Sequence, residues 1–390
     1  IAGSGPAGLT TALHLLRMRP DLAGRIAAVE RARHPRPKVC AGGLIPRTMA
    51  ALKELQINLD VPSVEVFGGT ARTEAGEIGL KRSIEPLCTI VRRNEFDALL
   101  ARHASAAGLE IIDRTRVRAI EQRTHGVRID TDNGVLDARV LVGADGSGSR
   151  VRTVVFGRSK QNIGRALVAE VPVRPDSTEE FLSRQYRFDF NCVAAGVQGY
   201  CWSFPCLIDG RAHLNVGIYD KNPGGGSGRS LVAQLRGAFP EIDSLERGDG
   251  RLPIKAFPIR WYEPRDQYVR GNTILAGDAA GVDPLMGEGI SYALEHGKIA
   301  AAAIARFLAG ETAALEGYGE ELHRGLMGRK LRRLAFAARC FYSSHHRFYF
   351  RLAGLSRRMQ RLGVDWYNGA DRIDELSIAR ATLRLISGAV

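Results

Sequence analysis

The chain has 390 residues, of which 45% are hydrophobic and 25% charged, values that are ordinary for a folded globular protein. It contains no apolar run of about 18 residues, so we expect no membrane-spanning helix. The six cysteines show no zinc-type spacing and a chain of this size needs no disulfides, so we expect no metal site and a reduced, cytoplasmic setting.

The first signature is Gly3-Ser4-Gly5-Pro6-Ala7-Gly8. Only Ile1-Ala2 precede it, where a parallel βαβ unit needs a strand, so we expect most of that strand to lie outside the sequence. A helix is predicted over Thr10–Met18 and a short strand over Ile26–Glu30. This order is the dinucleotide fingerprint, in which glycines approach a pyrophosphate and an acid accepts ribose hydroxyls. The predicted cofactor contacts here are Gly3, Gly5, Ala7, Gly8 and Glu30.

The next segment is predicted to surround a flat ligand. Small residues in Val39-Cys40-Ala41-Gly42-Gly43-Leu44 would let the backbone pass close to such a ligand. A helix is predicted over 94–107, with Asn94 as its N-cap. Strands at 127–131 and 135–138 are predicted to form a hairpin. A buried strand then enters the second signature, Gly143 to Arg152.

From about residue 163 to 258 the pattern changes to alternating segments, which predict an antiparallel sheet in a substrate domain. Residues 223–228, Pro-Gly-Gly-Gly-Ser-Gly, are predicted to be a flexible loop and not a phosphate site, because no strand-to-helix context surrounds them. A strand at 273–276 returns to the first domain and leads into the third signature, Gly277 to Ile290. An alanine-rich helix is predicted over 289–308.

The C-terminal part is helical and basic. The net charge of the chain is +13, and residues 322–364 contain no Asp or Glu. Arginines are interleaved there with aromatic residues such as Phe336 and Phe348. This pattern suits an anionic membrane surface, and it could also suit nucleic acid, the less favoured partner. A solvated helical face remains an equal alternative.

The three signatures together resemble the glutathione-reductase-type FAD fold in its hydroxylase-like branch. The branch pattern DGxxSxxR is matched by Asp145, Gly146, Ser149 and Arg152. Within the branch the chain is most similar to the geranylgeranyl reductase family, from Gly3 to about Phe307, and Gly199-Tyr200-Cys201-Trp202-Ser203-Phe204-Pro205 resembles that family's YxWxFP motif. Aromatic hydroxylases usually carry a His at the position of Gly281.

The resemblance implies an α/β fold with three parts. A Rossmann-like FAD-binding domain with a parallel sheet would comprise residues 1–160 and 259–310. An antiparallel-sheet substrate domain would comprise 161–258, and a basic helical region 311–390. Carried over by position, the flavin contacts are Glu30, Cys40, Ala41, Gly43, Arg93, Val117, Asp278, Gly287, Gly289 and Ile290.

Three side chains are assigned to a substrate cavity. Tyr200, Trp202 and Phe204 would line an apolar tunnel, although they could instead be core aromatics on a strand. Cys40 is the candidate catalytic residue, as a proton donor or by shaping the pocket, and the alternative is a small buried hydrophobe. Glu288 could assist near the flavin ring, and we favour helix capping instead.

The resemblance implies an FAD-dependent oxidoreductase that reduces C=C bonds of an isoprenoid chain on a lipid, a quinone or a prenyl diphosphate. Electrons would come from an external donor, either NAD(P)H or a ferredoxin-like protein. A flavin monooxygenase or halogenase of the same fold is the alternative, and a non-catalytic flavin-binding partner protein ranks last. The expected location is cytoplasmic, with peripheral membrane contact left open.

Overall fold

The computed structural model describes residues 1–80, 83–157, 162–222, 230–243, 252–354, 356–371, 373–376 and 380. The predicted loop at 223–228 lies outside these residues. The helices are α1 (Pro6–Met18), α2 (Pro46–Glu54), α3 (Arg93–Ala106), α4 (Glu179–Leu182), α5 (Leu231–Ala238), α6 (Ile290–Leu308), α7 (Glu316–Arg324), α8 (Leu326–Phe341), α9 (His346–Gly354) and α10 (Arg357–Asn368).

The strands are named in chain order in the same way. They are β1 (Ala27–Val29), β2 (Gly43–Leu44), β3 (Ser63–Val66), β4 (Gly68–Thr73), β5 (Gly76–Leu80), β6 (Cys88–Val91), β7 (Glu110–Ile112), β8 (Val117–Arg123), β9 (Gly126–Thr131), β10 (Gly134–Ala138), β11 (Leu141–Gly143), β12 (Ile163–Pro172), β13 (Gln185–Asp189), β14 (Gly199–Ile208), β15 (Arg211–Asp220), β16 (Lys255–Arg260), β17 (Val269–Arg270) and β18 (Thr273–Leu275).

A parallel sheet forms the first part of the molecule. β1 pairs with β7 and β11 pairs with β18, both in parallel. Ala2 lies between these pairs and bridges Val29 on one side and Gly143 on the other. α1 packs against this sheet and against α6, with Leu9, Ala12 and the other residues from Pro6 to Leu16 buried. The predicted Rossmann-like fold class is confirmed.

The second sheet has the strand order β16-β12-β15-β14-β13-β4-β5. Its centre is antiparallel, as predicted, with Tyr200 of β14 opposite Tyr219 of β15. β4 pairs with β13 in parallel, and β5 pairs with β4. The predicted boundaries placed residues 68–80 in the first domain, but their backbone hydrogen bonds join them to the sheet of the second, which is therefore mixed.

Two local predictions have different outcomes. The hairpin is confirmed, because β9 and β10 pair from Gly126–Thr131 to Gly134–Ala138. The predicted N-cap at Asn94 is wrong, because α3 already begins at Arg93 and the side chain of Arg92 makes no cap. Arg93 is held in the helix by Asp97 one turn later, whose carboxylate accepts N–H groups from Nε and Nη2 of the guanidinium.

The C-terminal helices pack against both sheets. The hydroxyl of Tyr318 on α7 donates to the carbonyl of Leu275 on β18 at 2.6 Å. Phe350 on α9 packs against Phe190, just after β13, with ring centroids 5.3 Å apart. None of the helices in the described part of the chain has the length and apolar composition that a membrane crossing requires.

Candidate functional site

The glycine loop places the start of α1 at the edge of the parallel sheet. Gly5 is the N-cap and Pro6 opens the helix, so the first backbone N–H groups point out of the fold. An ideal Cβ on Gly8 would lie 2.1 Å from the carbonyl oxygen of Gly3, which only a glycine avoids. Such a helix N-terminus attracts a phosphate group.

Glu30 follows β1 beside this loop. One carboxylate oxygen accepts the backbone N–H of Ser4 at 3.1 Å and its hydroxyl at 3.0 Å, and the other accepts the N–H of Ala32. Burial raises the pKa of Glu30, but the nearby guanidinium of Arg36 and these hydrogen bonds outweigh it, so the pKa is lowered. The ionised carboxylate is able to accept ribose hydroxyls.

Arg36 is a site residue that the sequence did not single out. Its guanidinium lies 3.4 Å from Glu30 and 3.5 Å from Asp97, and one nitrogen lies 3.6 Å from the ideal Cβ position of Gly5. Its buried Nε is the atom that faces Glu30, and it makes no well-formed hydrogen bond within the described structure. A guanidinium group beside a helix N-terminus fits a pyrophosphate group, so the residues present fit a dinucleotide. The only sequence signal was the Pro- and Arg-rich composition of residues 33–38.

The second signature holds the third in place. Asp145 accepts the Ser149 hydroxyl at 2.5 Å, which closes the turn. Arg152 donates to the carbonyls of Ala279 and Ala280 at 2.6 and 3.2 Å. These contacts explain why a Ser and an Arg occur at this spacing.

Asp278 stands at the start of the third signature and accepts the Ser147 hydroxyl at 3.0 Å. Further along, Glu288 accepts the backbone N–H of Ser291 at 2.8 Å and its hydroxyl at 2.5 Å. The interpretation of Glu288 as a capping residue is therefore confirmed. Gly281 has φ +109°, and a Cβ there would lie about 3.0 Å from the backbone of Trp261. The backbone thus disfavours a histidine at this position.

One cavity of about 1840 Å³ joins these elements, which is larger than the roughly 300–1,000 Å³ of a usual small-molecule site. Of the predicted residues, only Gly8 does not line it, because that glycine serves the packing of the loop. The predicted residues that line it are Gly3, Gly5, Ala7, Glu30, Cys40, Ala41, Gly43, Arg93, Val117, Tyr200, Trp202, Phe204, Asp278, Gly287, Gly289 and Ile290.

The part of the cavity over the second sheet is apolar, and we name it the aromatic arm. Its walls are six rings on or beside two neighbouring strands, Tyr186, Phe188 and Phe190 from the β13 segment and Tyr200, Trp202 and Phe204 from β14. The sequence missed the first three, although their alternation over 186–190 was a usable signal. The polar atoms of Tyr200 and Trp202 are occupied, by the carbonyl of Met286 and the amide oxygen of Asn215.

Tyr219 faces the same cavity and is almost fully buried, yet its hydroxyl has no hydrogen-bond partner among the described residues. Leaving such a group unpaired costs about 1–3 kcal/mol. Its ring packs beside Gly287, within 3.5 Å of the ideal Cβ position. A bound molecule in the cavity would therefore meet one free hydroxyl in an otherwise apolar wall.

Cys40 lies on the loop between the two parts of the cavity. Its thiol is half-buried, and the backbone N–H of Gly42 points to the sulfur at 3.4 Å. The carbonyl of Cys40 accepts the side-chain amide of Asn215, which also holds Trp202. The loop is thus anchored to the floor of the aromatic arm.

The C-terminal helices close the far side of the cavity. Tyr342 donates to the carbonyl of Leu285 at 2.6 Å, and Tyr367 donates to the carboxylate of Asp283 at 2.8 Å. Met359 and Val364 of α10 line the cavity. The basic region is therefore a wall of the site as well as a surface, which its charge pattern alone did not predict.

Comparisons with known proteins agree with this geometry. The sequence profile of the FAD binding domain family matches residues 1–327. The chain is 29% identical over 320 residues to a menaquinone reductase from Mycolicibacterium smegmatis, covering 77% of this chain and 74% of that protein. It is 26% identical over 353 residues to a digeranylgeranylglycerophospholipid reductase from Methanocella arvoryzae, covering 84% and 82%.

A solved structure gives the same fold. A geranylgeranyl bacteriochlorophyll reductase-like protein from Thermoplasma acidophilum superposes with a TM-score of 0.72. The superposition covers 99% of this chain and 94% of that chain at 20% sequence identity, a level at which the similarity establishes the fold alone.

Proposed function

The chain belongs to the FAD binding domain family, and from this premise we propose that it reduces carbon–carbon double bonds of an isoprenoid chain on a lipid, a quinone or a prenyl diphosphate. It is an FAD-dependent oxidoreductase. One observation carries the proposal for the substrate: the aromatic arm opens into the same cavity as Glu30, Arg93 and Asp278. The names of the two sequence relatives support it.

The dinucleotide would be held by residues from all three signatures. Glu30 would bind ribose hydroxyls, and Arg36 with the start of α1 would bind the pyrophosphate. Asp278, which accepts the Ser147 hydroxyl, would bind the ribityl chain, and the N-terminus of α6 would stabilise negative charge on a reduced flavin. The bound FAD supplies a hydride once it is reduced.

The chain's own residues must then orient an alkene that has no carbonyl to polarise. The aromatic arm excludes water and fixes the prenyl chain beside the Cys40 loop. The second hydrogen has to arrive as a proton at the other alkene carbon. Cys40 is our candidate for its delivery, because this half-buried cysteine lines the cavity together with the aromatic arm and the predicted flavin contacts.

Electrons enter from an external donor, which we propose to be NAD(P)H or a ferredoxin-like protein. The basic surface of the chain suits an acidic donor protein. A chemical reductant replaces either donor in a first experiment, so the test of the substrate does not depend on knowing which one is used.

The test is anaerobic incubation of the FAD-loaded, dithionite-reduced protein with geranylgeranyl lipid, a prenylated quinone and geranylgeranyl diphosphate. We expect a mass gain of two hydrogens per reduced double bond with at least one of them. Absence of any gain with all three would overturn the proposal. Oxygenated or halogenated products formed in air would instead support the alternative of a monooxygenase or halogenase.

Cys40→Ala tests the proton donor separately. We expect a rate per bound FAD at least about tenfold lower, since general acid catalysis contributes about 10²–10⁴-fold. Cys340→Ala is the matched control, because this half-buried cysteine on α8 does not line the cavity. An unchanged rate in Cys40→Ala would assign the residue to shaping the pocket.

A further inference from the structure

The outer face of α9 exposes large apolar side chains next to an arginine, which is unusual for a helix face that contacts only water. Phe348 is 62% exposed, and Leu352, four residues later on the same side, is 39% exposed. Arg351 is exposed beside them. Arg347 precedes them but pairs with Glu74, which fixes α9 against the turn between β4 and β5.

α8 shows the same combination. Phe336 is 62% exposed, and the guanidinium of Arg339 lies 6.0 Å from its ring centroid. Phe336 also lines the cavity, so the cavity reaches the surface at an exposed aromatic ring. On α9 the opposite face lines the cavity through Phe350 and Ala353. The two helices therefore separate the aromatic arm from this surface.

The charge of the segment selects its partner. Residues 322–364 carry eleven Arg and Lys residues and no acid. Lys330 is buried and two of the arginines pair with acidic side chains, but exposed arginines such as Arg339 and Arg351 remain, so the surface attracts anions. Charge alone would suit an acidic protein or nucleic acid. The two protruding phenylalanines gain nothing from either unless they are buried, whereas a bilayer accepts apolar groups between cationic ones.

We propose that the exposed side of α8 and α9, defined by Phe336, Arg339, Phe348, Arg351 and Leu352, docks on an anionic lipid bilayer. Phe348 and Leu352 enter the acyl region while the guanidinium groups lie at the lipid phosphates. A prenyl chain then passes from the bilayer over Phe336 into the aromatic arm. This inference deepens the proposed function and rests on it for the nature of the substrate.

Vesicle flotation of the full chain, loaded with FAD, tests the docking. We expect stronger binding to vesicles that contain phosphatidylglycerol than to pure phosphatidylcholine, and weaker binding as salt rises. Phe348→Ser with Leu352→Ser should weaken binding about tenfold or more, because two apolar side chains no longer insert. Arg339→Gln with Arg351→Gln should weaken it about fivefold per arginine on anionic vesicles.

Two matched controls isolate the surface. Leu182→Ser removes an apolar side chain of α4 that is also 62% exposed, and Arg211→Gln removes an exposed arginine at the start of β15. Both should bind vesicles like the wild type. Equal binding by all variants, an equal loss in the controls, or binding to oligonucleotides stronger than to anionic vesicles would overturn the docking proposal.

Activity separates the two proposals. With a prenyl lipid in detergent, Phe348→Ser with Leu352→Ser should react at the wild-type rate, because neither residue lines the cavity. With the same lipid in anionic vesicles it should react about tenfold more slowly. A protein that floats with vesicles but reduces no prenyl chain supports the docking surface and overturns the proposed function. If the double variant of Phe348 and Leu352 reduces the prenyl lipid in vesicles at the wild-type rate, the docking proposal is overturned.

Discussion

Asp283 is a fully buried carboxyl group within the third signature. Burial raises its pKa to about 6 from the ordinary 3.8, against the backbone N–H groups of Leu285 and Met286 and the hydroxyl of Tyr367, which favour the charged form. Below 3.8 the group is protonated in both the folded and the unfolded state. Between 3.8 and about 6 the unfolded state ionises first, so stability is lost as pH rises through this range.

The loss predicts a pH-dependent effect of Asp283→Asn. Raising the pKa of Asp283 from 3.8 to about 6 corresponds to about 3 kcal/mol. The free energy of unfolding of the wild type should therefore fall by about 2–3 kcal/mol relative to that of the variant between about pH 4 and pH 7. Urea unfolding of both proteins without cofactor measures this difference. Asp209→Asn, whose side chain is 87% exposed, is the control and should show no such trend. A constant difference for Asp283→Asn would contradict the prediction.

At the residue scale the sequence predicted the positions that follow a fixed motif. Glu30 and Asp278 stand at set distances from glycine loops, and both line the cavity. Arg36 could not be predicted in this way, because its partners Glu30 and Asp97 are brought to it by two different elements. Residues 33–38 show no helical or strand periodicity, so the sequence gives no direction for the side chain of Arg36.

Among the elements, α10 is joined to α8 by a buried cation. The ammonium group of Lys330 on α8 donates to the carbonyls of Trp366 and Tyr367 at 2.7 and 2.8 Å, in the last turn of α10. Lys330 is only 5% exposed, and burial lowers its pKa to about 8. Below that pKa the cation donates to the carbonyl of Tyr367 and is a second donor to that of Trp366, which also accepts the backbone N–H of Gly369, and it complements the helix dipole.

Lys330→Met should therefore loosen α10. The substitution keeps the apolar stem but removes the ammonium donor from the carbonyls of Tyr367 and Trp366, of which the second keeps the N–H of Gly369, and we expect this to cost about 1–2 kcal/mol. Hydrogen exchange at pH 7 should be faster in α10 of the variant than in α10 of the wild type, whereas exchange in α1 should not change. Lys298→Met is the control, because it removes a half-exposed pair between Lys298 on α6 and Glu54 on α2 that contributes about 0–1 kcal/mol. Unchanged exchange in α10 would show that other contacts hold the helix.

The elements themselves were predicted where one periodicity dominates. α1, α6 and the β9–β10 hairpin have clear patterns and short-range partners. The membership of β4 and β5 was not predictable, because the parallel pairing of β4 with β13 joins residues more than 100 positions apart. A strand's own sequence does not specify which sheet it joins.

At the scale of the whole molecule the two sheets meet at one cavity. The parallel sheet supplies Glu30, and the third signature supplies Asp278, while the mixed sheet supplies the aromatic arm. A ligand long enough to contact both Glu30 and Asp278 would link the segment after β1 to the third signature, which lies about 250 residues further along the chain. Its binding should stabilise the whole fold, since binding to the folded state alone adds RT ln(1 + [L]/Kd).

FAD should therefore raise the melting temperature more than FMN, which lacks the adenosine half. At a hundredfold excess over its Kd, FAD should add about 2.7 kcal/mol, or a rise of several degrees. Glu30→Gln should weaken FAD binding about tenfold or more by removing charge-assisted hydrogen bonds to ribose, without changing the smaller FMN effect. Glu110→Gln, exposed on β7, is the matched control. Equal rises in melting temperature with FAD and FMN would mean that the adenosine half of FAD does not bind at Glu30. The assignment of Glu30 as the ribose-binding residue would then be wrong.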